Sequence, residues 1–159
     1  MNDNLTVWMM VGAPGCGKST YAKTLFKENA KTVIICPDSI RAIIGTGEGD
    51  QSVSYAAFCI AKTKMKDVLN SGQNVIFDAT NMYRKTRKDF IGIARACDRV
   101  GKVIAVVFEC DKKTLLERNK KRGDEGGRNV PESVIDAMLA RYQRPDKTEF
   151  DEVKFVNQK

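Results

Sequence analysis

The eight residues Gly12-Ala13-Pro14-Gly15-Cys16-Gly17-Lys18-Ser19 constrain this chain more than any other stretch. They satisfy GxxxxGK[ST] at every fixed position. The apolar run from Val7 to Val11 leads into them without interruption, as a strand buried on both faces of a parallel sheet requires. Residues 19–29 then alternate apolar and polar at helical spacing, with Ala22, Leu25 and Phe26 on one side. A strand, a glycine-rich loop and a helix start follow in order. That order turns backbone N–H groups and the positive end of a helix dipole toward an anion. Lys18 in such a loop reaches the β- and γ-phosphates of a nucleoside triphosphate, and the Ser19 hydroxyl ligates Mg²⁺. Gly12 to Thr20 are therefore the expected binding loop for ATP with Mg²⁺. A glycine-rich turn that merely caps a helix is the bland alternative, and the flanking strand weighs against it.

Four more strands are expected at Thr32–Cys36, Asn74–Phe77, Lys102–Phe108 and Glu152–Val156. Helical stretches separate them, roughly over 54–70, 85–100, 112–122 and 131–143. Ser71-Gly72 is read as the stop of the first and Gly101 as the stop of the second. Strands alternating with helices predict an α/β fold, a doubly wound and mostly parallel five-stranded sheet with helices on both faces. Ligands of such sheets sit at the carboxyl ends of the strands, so the polar residues there carry the chemistry.

Composition bounds the chemistry further. At 159 residues, a single domain over 1–159 is expected. The 27 basic and 20 acidic side chains leave +7, which suits a polyanionic partner without establishing one. Cys16, Cys36, Cys59, Cys97 and Cys110 form no CxxC pair and read as reduced thiols of a cytoplasmic protein. Cys16 alone sits where an anion loop would acidify a thiol, although filler at a variable loop position is the simpler reading. No basic leader or run long enough to span a bilayer is present, so no membrane partner is expected. Histidine is absent, which leaves carboxylates as the strongest general bases.

Three polar clusters follow the strands. Asp38 and Arg41 share one face of a starting helix; Asp38 either caps that helix or takes a proton from an attacking hydroxyl while Arg41 holds an anionic acceptor group. Asp78-Ala79-Thr80-Asn81 ends the third strand, with Asp78 a candidate for the magnesium shell. The basic run from Arg84 to Lys88 then sits unfavourably at a helix N-terminus, which makes sense beside an external polyanion or on a solvated face. The third cluster spans 115–131. Arg118 and Arg122 share a helix face, a glycine-rich hinge carries Arg128, and Pro131 opens the next helix, so residues 112–131 read as a lid that lowers arginines onto phosphates.

Taken together, GAPGCGKST, the Asp38-x-x-Arg41 pair, DATN at Asp78–Asn81, RNKKRG followed by VPESVI, and FDEVKFV at Phe150–Val156 resemble the bacteriophage-type polynucleotide 5′-kinases, within the wider P-loop kinases. The likeness spans nearly the whole chain. It implies a P-loop kinase fold with a helical arginine lid, and transfer of the ATP γ-phosphoryl group to the 5′-OH of DNA or RNA. It also implies roles. Lys18 and Ser19 bind ATP and magnesium, Asp38 is the general base, and Arg41 holds the phosphate next to the acceptor hydroxyl. Arg122 stabilises the transition state, Arg118 lies near the nucleotide, and Asp78 supports. Arg41, Asp78, Thr80, Asn81, Arg84 and Arg87 form the expected acceptor surface. The lid segment is longer than in the family, which makes Arg128 a second candidate for the transition state. The family's DxDGT phosphatase motif is absent, so no 3′-phosphatase activity is expected.

Three other readings use the same loop. A kinase of a small hydroxyl substrate (nucleoside, sugar or nucleotide-sugar) shares the loop and often the Asp after the second strand. A kinase of a hydroxymethylated base in DNA keeps the polymer. A nucleotide-switch ATPase leaves Asp38 and Arg41 idle, and Asn119-Lys120-Lys121-Arg122 carries Arg where the guanine-reading NKxD motif needs Asp.

Overall fold

A computed structural model describes residues 4–156 of the chain. Five strands form one sheet: β1 (Leu5–Val11), β2 (Thr32–Ile35), β3 (Asn74–Phe77), β4 (Val100–Phe108) and β5 (Glu152–Val156). Their order is β2-β3-β1-β4-β5, and every neighbouring pair is parallel. The α-helices are α1 (Lys18–Glu28), α2 (Pro37–Ile44), α3 (Ser54–Asn70), α4 (Arg84–Ala96), α5 (Lys112–Asp124) and α6 (Glu132–Arg141). This is the doubly wound α/β architecture of P-loop kinases.

The two-residue period of the strands sorts the core into two layers. Val7, Met9 and Val11 of β1 pack with Ala61, Met65 and Leu69 of α3 and Phe90 and Ala94 of α4. Met10 faces the other side, with Ala22 of α1, Leu115 of α5 and Ile135 of α6. Sandwiched between helical layers, the central strands are apolar on both faces, which is why β1 reads as an unbroken hydrophobic run. The helix after β1 and the helix after β3 lie on opposite faces of the sheet. Their loops diverge and leave a crevice at the carboxyl ends of these neighbouring strands.

Several boundaries differ from those expected. The helix expected over 85–100 ends at Ala96, because Cys97 turns extended and Val100 already pairs with Leu5. Gly101 is therefore not a helix stop but part of β4. The register with β1 shifts there, and a Cβ on Gly101 would stand 2.9 Å from Asn4 Oδ1. Pro131 caps α6 instead of opening it, and the helix stops at Arg141 because the Gln143 amide donates to Met82 O. A short 3₁₀ turn at Gln51–Val53, which the sequence pattern did not single out, connects α2 to α3.

Candidate active site

The loop between β1 and α1 is built by close approach. A Cβ on Gly12 would lie 2.6 Å from Cys16 Sγ and 2.8 Å from Phe108 O, so no other residue fits there. Cys16 fills the space beneath the loop and is buried. Gly17 takes a left-handed conformation (φ 94°) and hands the chain to α1, whose first residue is Lys18. The Lys18 ammonium donates to Ala13 O (3.0 Å) and to Cys16 Sγ (3.5 Å). The Ser19 hydroxyl donates to Asp78 Oδ2 at 2.8 Å, and the Asp78 amide is held by Ile35 O. Serine oxygen and carboxylate are hard donors, and Mg²⁺ is held by one or two such groups together with substrate phosphates, so the pair fits that ion.

Two cavities open from this loop. One, of about 630 Å³, runs over Gly15, Gly17, Thr20, Tyr21 and Thr24, under Arg118 and Arg122, to Val156 at the end of β5. Arg118 donates to Gly15 O at 3.4 Å and closes its wall. The other, of about 170 Å³, lies on the β2 side between Pro14, Cys36, Asp38, Arg41, Thr80 and Arg128. Lys18, Ser19 and Arg122 line both, so the cavities meet where a γ-phosphate bound by the loop would lie. Burial, and after it the negative charge of Asp78, raises the Cys36 thiol above its ordinary value, so Cys36 is a neutral wall of the smaller cavity.

In that smaller cavity Asp38 stands between two arginines. It forms an ion pair with Arg41, one turn on in α2, and a second with Arg128 from the lid, whose Nη1 lies 3.3 and 3.4 Å from the two carboxylate oxygens. Arg41 is buried and anchored by the Glu48 carbonyl at 2.7 Å and the Ser54 hydroxyl at 3.5 Å. Burial, followed by the positive charge of Arg128, lowers the Arg41 guanidinium from its ordinary value, and burial does the same to Arg128. Two cations thus crowd one carboxylate. Such a site gains from a second negative group.

The lid is pinned, not loosely hinged. Asn119 is buried; its amide donates to Asn129 Oδ1 and Val130 O, and its carbonyl accepts from the Val130 amide at 2.9 Å. Gly127 N donates to Arg122 O at 2.8 Å, and Arg122 Nε donates to Arg128 O at 2.9 Å. The turn therefore fixes Arg128 relative to Arg122. Arg122 lines both cavities, and its Nη2 is buried with no hydrogen-bond partner among the described residues.

The basic run after β3 behaves differently from its expected role. Arg87 has no solvent exposure; it pairs with both carboxylate oxygens of Glu149 (2.9 and 3.1 Å) and donates to Asn81 O. Asn81 is buried as well, and its amide donates to Met10 O at 2.8 Å. Arg84 is exposed and bound to Asp146 at 3.2 Å. None of the three lines either cavity, and only Thr80 and Asp78 of the expected acceptor surface after β3 do. The reason is the segment 146–149, whose carboxylates neutralise this helix start from a distant part of the chain. Conversely, Gln51 and Ser54 line the smaller cavity without having been singled out. The Asp50–Ser52 turn before α3 is a local signal for that loop, but its place beside Arg41 is not.

This fold, with its phosphate loop between β1 and α1, defines the class of P-loop kinases, which bind ATP and transfer phosphoryl groups. More particularly, the family model described as AAA domain matches residues 7–145, and the chain belongs to that family. The L-seryl-tRNA(Sec) kinase of Methanococcus maripaludis is 29% identical over 143 residues, which are 86% of this chain and 52% of that protein. The chain thus spans about half the length of this curated relative. Among solved structures, a chain of the Pnkp1/Rnl/Hen1 RNA repair complex superposes with a TM-score of 0.76 at 24% identity, over 86% of this chain and 43% of its own. A gluconokinase from Sinorhizobium meliloti 1021 superposes with a TM-score of 0.61 at 18% identity, over 99% and 85%. Both structural likenesses are of fold. No helix among the described residues is long and apolar enough to cross a membrane.

Proposed function

We propose that this chain is an ATP-dependent polynucleotide kinase that phosphorylates a nucleic-acid hydroxyl, the 5′-OH of DNA or RNA. The observation that carries this reading is Asp38 held between Arg41 and Arg128, in a cavity that shares Lys18, Ser19 and Arg122 with the nucleotide cleft. The acceptor oxygen attacks the γ-phosphorus in line and passes its proton to Asp38. The bond to the β,γ-bridging oxygen breaks, and ADP leaves. Arg41 holds the phosphate next to the acceptor hydroxyl. Lys18 and Arg122 neutralise charge on the transferring group; Arg122 lines both cavities and its Nη2 has no hydrogen-bond partner among the described residues, which favours it over Arg128 for this task. Mg²⁺ held by Ser19 and Asp78 would supply further neutralisation of the β- and γ-phosphate oxygens. The L-seryl-tRNA(Sec) kinase, whose name gives a substrate carried on RNA, supports a substrate that includes nucleic acid.

Transfer of label from γ-labelled ATP to a 5′-OH oligonucleotide tests this, beside a 5′-phosphorylated oligonucleotide and a panel of nucleosides, sugars and gluconate. Label on the 5′-OH strand alone is the expected outcome. A small-hydroxyl acceptor is the second reading. It is favoured by the modest 170 Å³ acceptor cavity and by the engagement of Arg84 and Arg87 with carboxylates. Label on a small molecule would establish it instead.

A further inference from the structure

With Arg122 assigned to the transferring phosphate, Arg128 is left contacting the base and nothing else in the reaction path. Its Nη1 reaches both Asp38 oxygens from 90 residues away, and its side chain is largely buried. Arg41 pairs with the same carboxylate, sharing Oδ1 with Arg128. In this arrangement both Asp38 oxygens are engaged by guanidinium groups, although about a third of the side chain (35%) stays exposed. Arg128 is also the wall between the acceptor cavity and an outer cleft of about 410 Å³, formed by Glu48 and Gly49 on one side and the lid turn Gly126-Gly127 on the other. Its Cγ lies 3.7 Å from where a Cβ on Gly49 would stand, and Arg128 borders the open volume of that cleft. Through its carbonyl it is tied to Arg122 at the phosphate junction.

We propose that Arg128 is a positioning residue that makes phosphoryl transfer depend on an acceptor. It holds both Asp38 oxygens until an acceptor hydroxyl displaces it, and so keeps the base occupied by a cation until then. An acceptor carrying a phosphate next to its hydroxyl is the class that releases it. The incoming anion supplies the arginine with a new partner in the cavity at the moment the hydroxyl takes its place on Asp38. This rests on Asp38 being the base. Without the latch, a water oxygen forms the new bond to the γ-phosphorus, the bond to the β,γ-bridging oxygen breaks with ADP leaving, and the water proton passes to Asp38.

The test is inorganic phosphate release from ATP and MgCl₂ without acceptor, by the full chain and by Arg128→Ala, Arg128→Lys, Asp38→Asn and the Arg128→Ala/Asp38→Asn double variant. General-base catalysis is worth about 10²–10⁴-fold, so Arg128→Ala is expected to raise hydrolysis by roughly ten-fold or more. The double variant is expected to return to the wild-type rate. Arg128→Lys, a point charge without the fork, is expected to fall between. With acceptor varied at saturating ATP, Arg128→Ala is expected to raise the acceptor KM more than it lowers kcat, a split that a general loosening of the lid would not give. Hydrolysis by Arg128→Ala equal to or below wild type, with unchanged thermal unfolding, overturns the proposal, and so does a double variant that keeps the raised rate. The hydrolysis arms need no acceptor, so an error in the acceptor's identity shows only in the transfer panel. An error in the base shows in Asp38→Asn alone, as transfer that persists.

Discussion

The nucleotide side and the proposed acceptor side of this site are built in opposite ways. The nucleotide cleft is mostly one contiguous stretch, Gly15 to Thr24, roofed by two arginines of a single helix. The acceptor cavity draws on the end of β2, α2, the 3₁₀ turn, the end of β3 and the lid turn, and its central contact joins residues 90 apart. A contiguous site is encoded by spacing. A dispersed one is encoded by which segments the fold brings together, and its residues take meaning only there.

Five experiments break or sharpen that contrast. Arg122→Ala should lose on the order of 10³–10⁵ in kcat with ATP affinity nearly kept, read by single-turnover transfer and nucleotide titration. An equal loss for Arg128→Ala would merge the two arginines into one role. Asp38→Asn should lower transfer by about 10²–10⁴-fold while ATP still binds; near-normal turnover would remove it from the acceptor side altogether.

The remaining three separate architecture from chemistry. Glu149→Gln leaves the fully buried Arg87 without its charge partner and should cost about 3–5 kcal/mol in denaturant unfolding. Stability close to wild type would mean Arg87 does not depend on that pair, and would return it to the acceptor surface. Asn119→Ala removes the clasp of the lid turn and should cost about 1–3 kcal/mol, with a lower kcat as Arg122 and Arg128 lose registry. The smallest effect is expected from Arg84→Ala, which lies outside both cavities. A rise in oligonucleotide KM for that variant, measured against a small acceptor, would place a strand across α4 after all.

Much of the molecule is legible in its residues. The alternation of strands and helices, the parallel sheet and the phosphate loop follow from short-range patterns: apolar runs, helical periodicity and a fixed spacing of glycines, lysine and serine. Gly101 shows the limit of such patterns. Helix stop and strand irregularity both use glycine, and only its pairing opposite the start of β1 decided between them. The basic run at 84–88 shows a sharper limit. Charge along the chain reports how many cations are present but not which carboxylates return to meet them, and Asp146 and Glu149 lie about sixty positions away.

By itself, then, the sequence determined what the protein holds at its phosphate loop, because backbone N–H groups, a lysine and a hydroxyl there are ordered by local geometry. The tertiary structure alone decided how the other half of the site is wired. It buried Arg87 in an ion pair, brought Gln51 and Ser54 to the acceptor cavity and folded the lid through Asn119. It also set Arg128 on Asp38 while leaving Arg122 at the phosphate junction. Those outcomes are pairings between distant charges and hydrogen-bonding groups, and the winner of each is set by burial and proximity, which spacing along a chain does not carry.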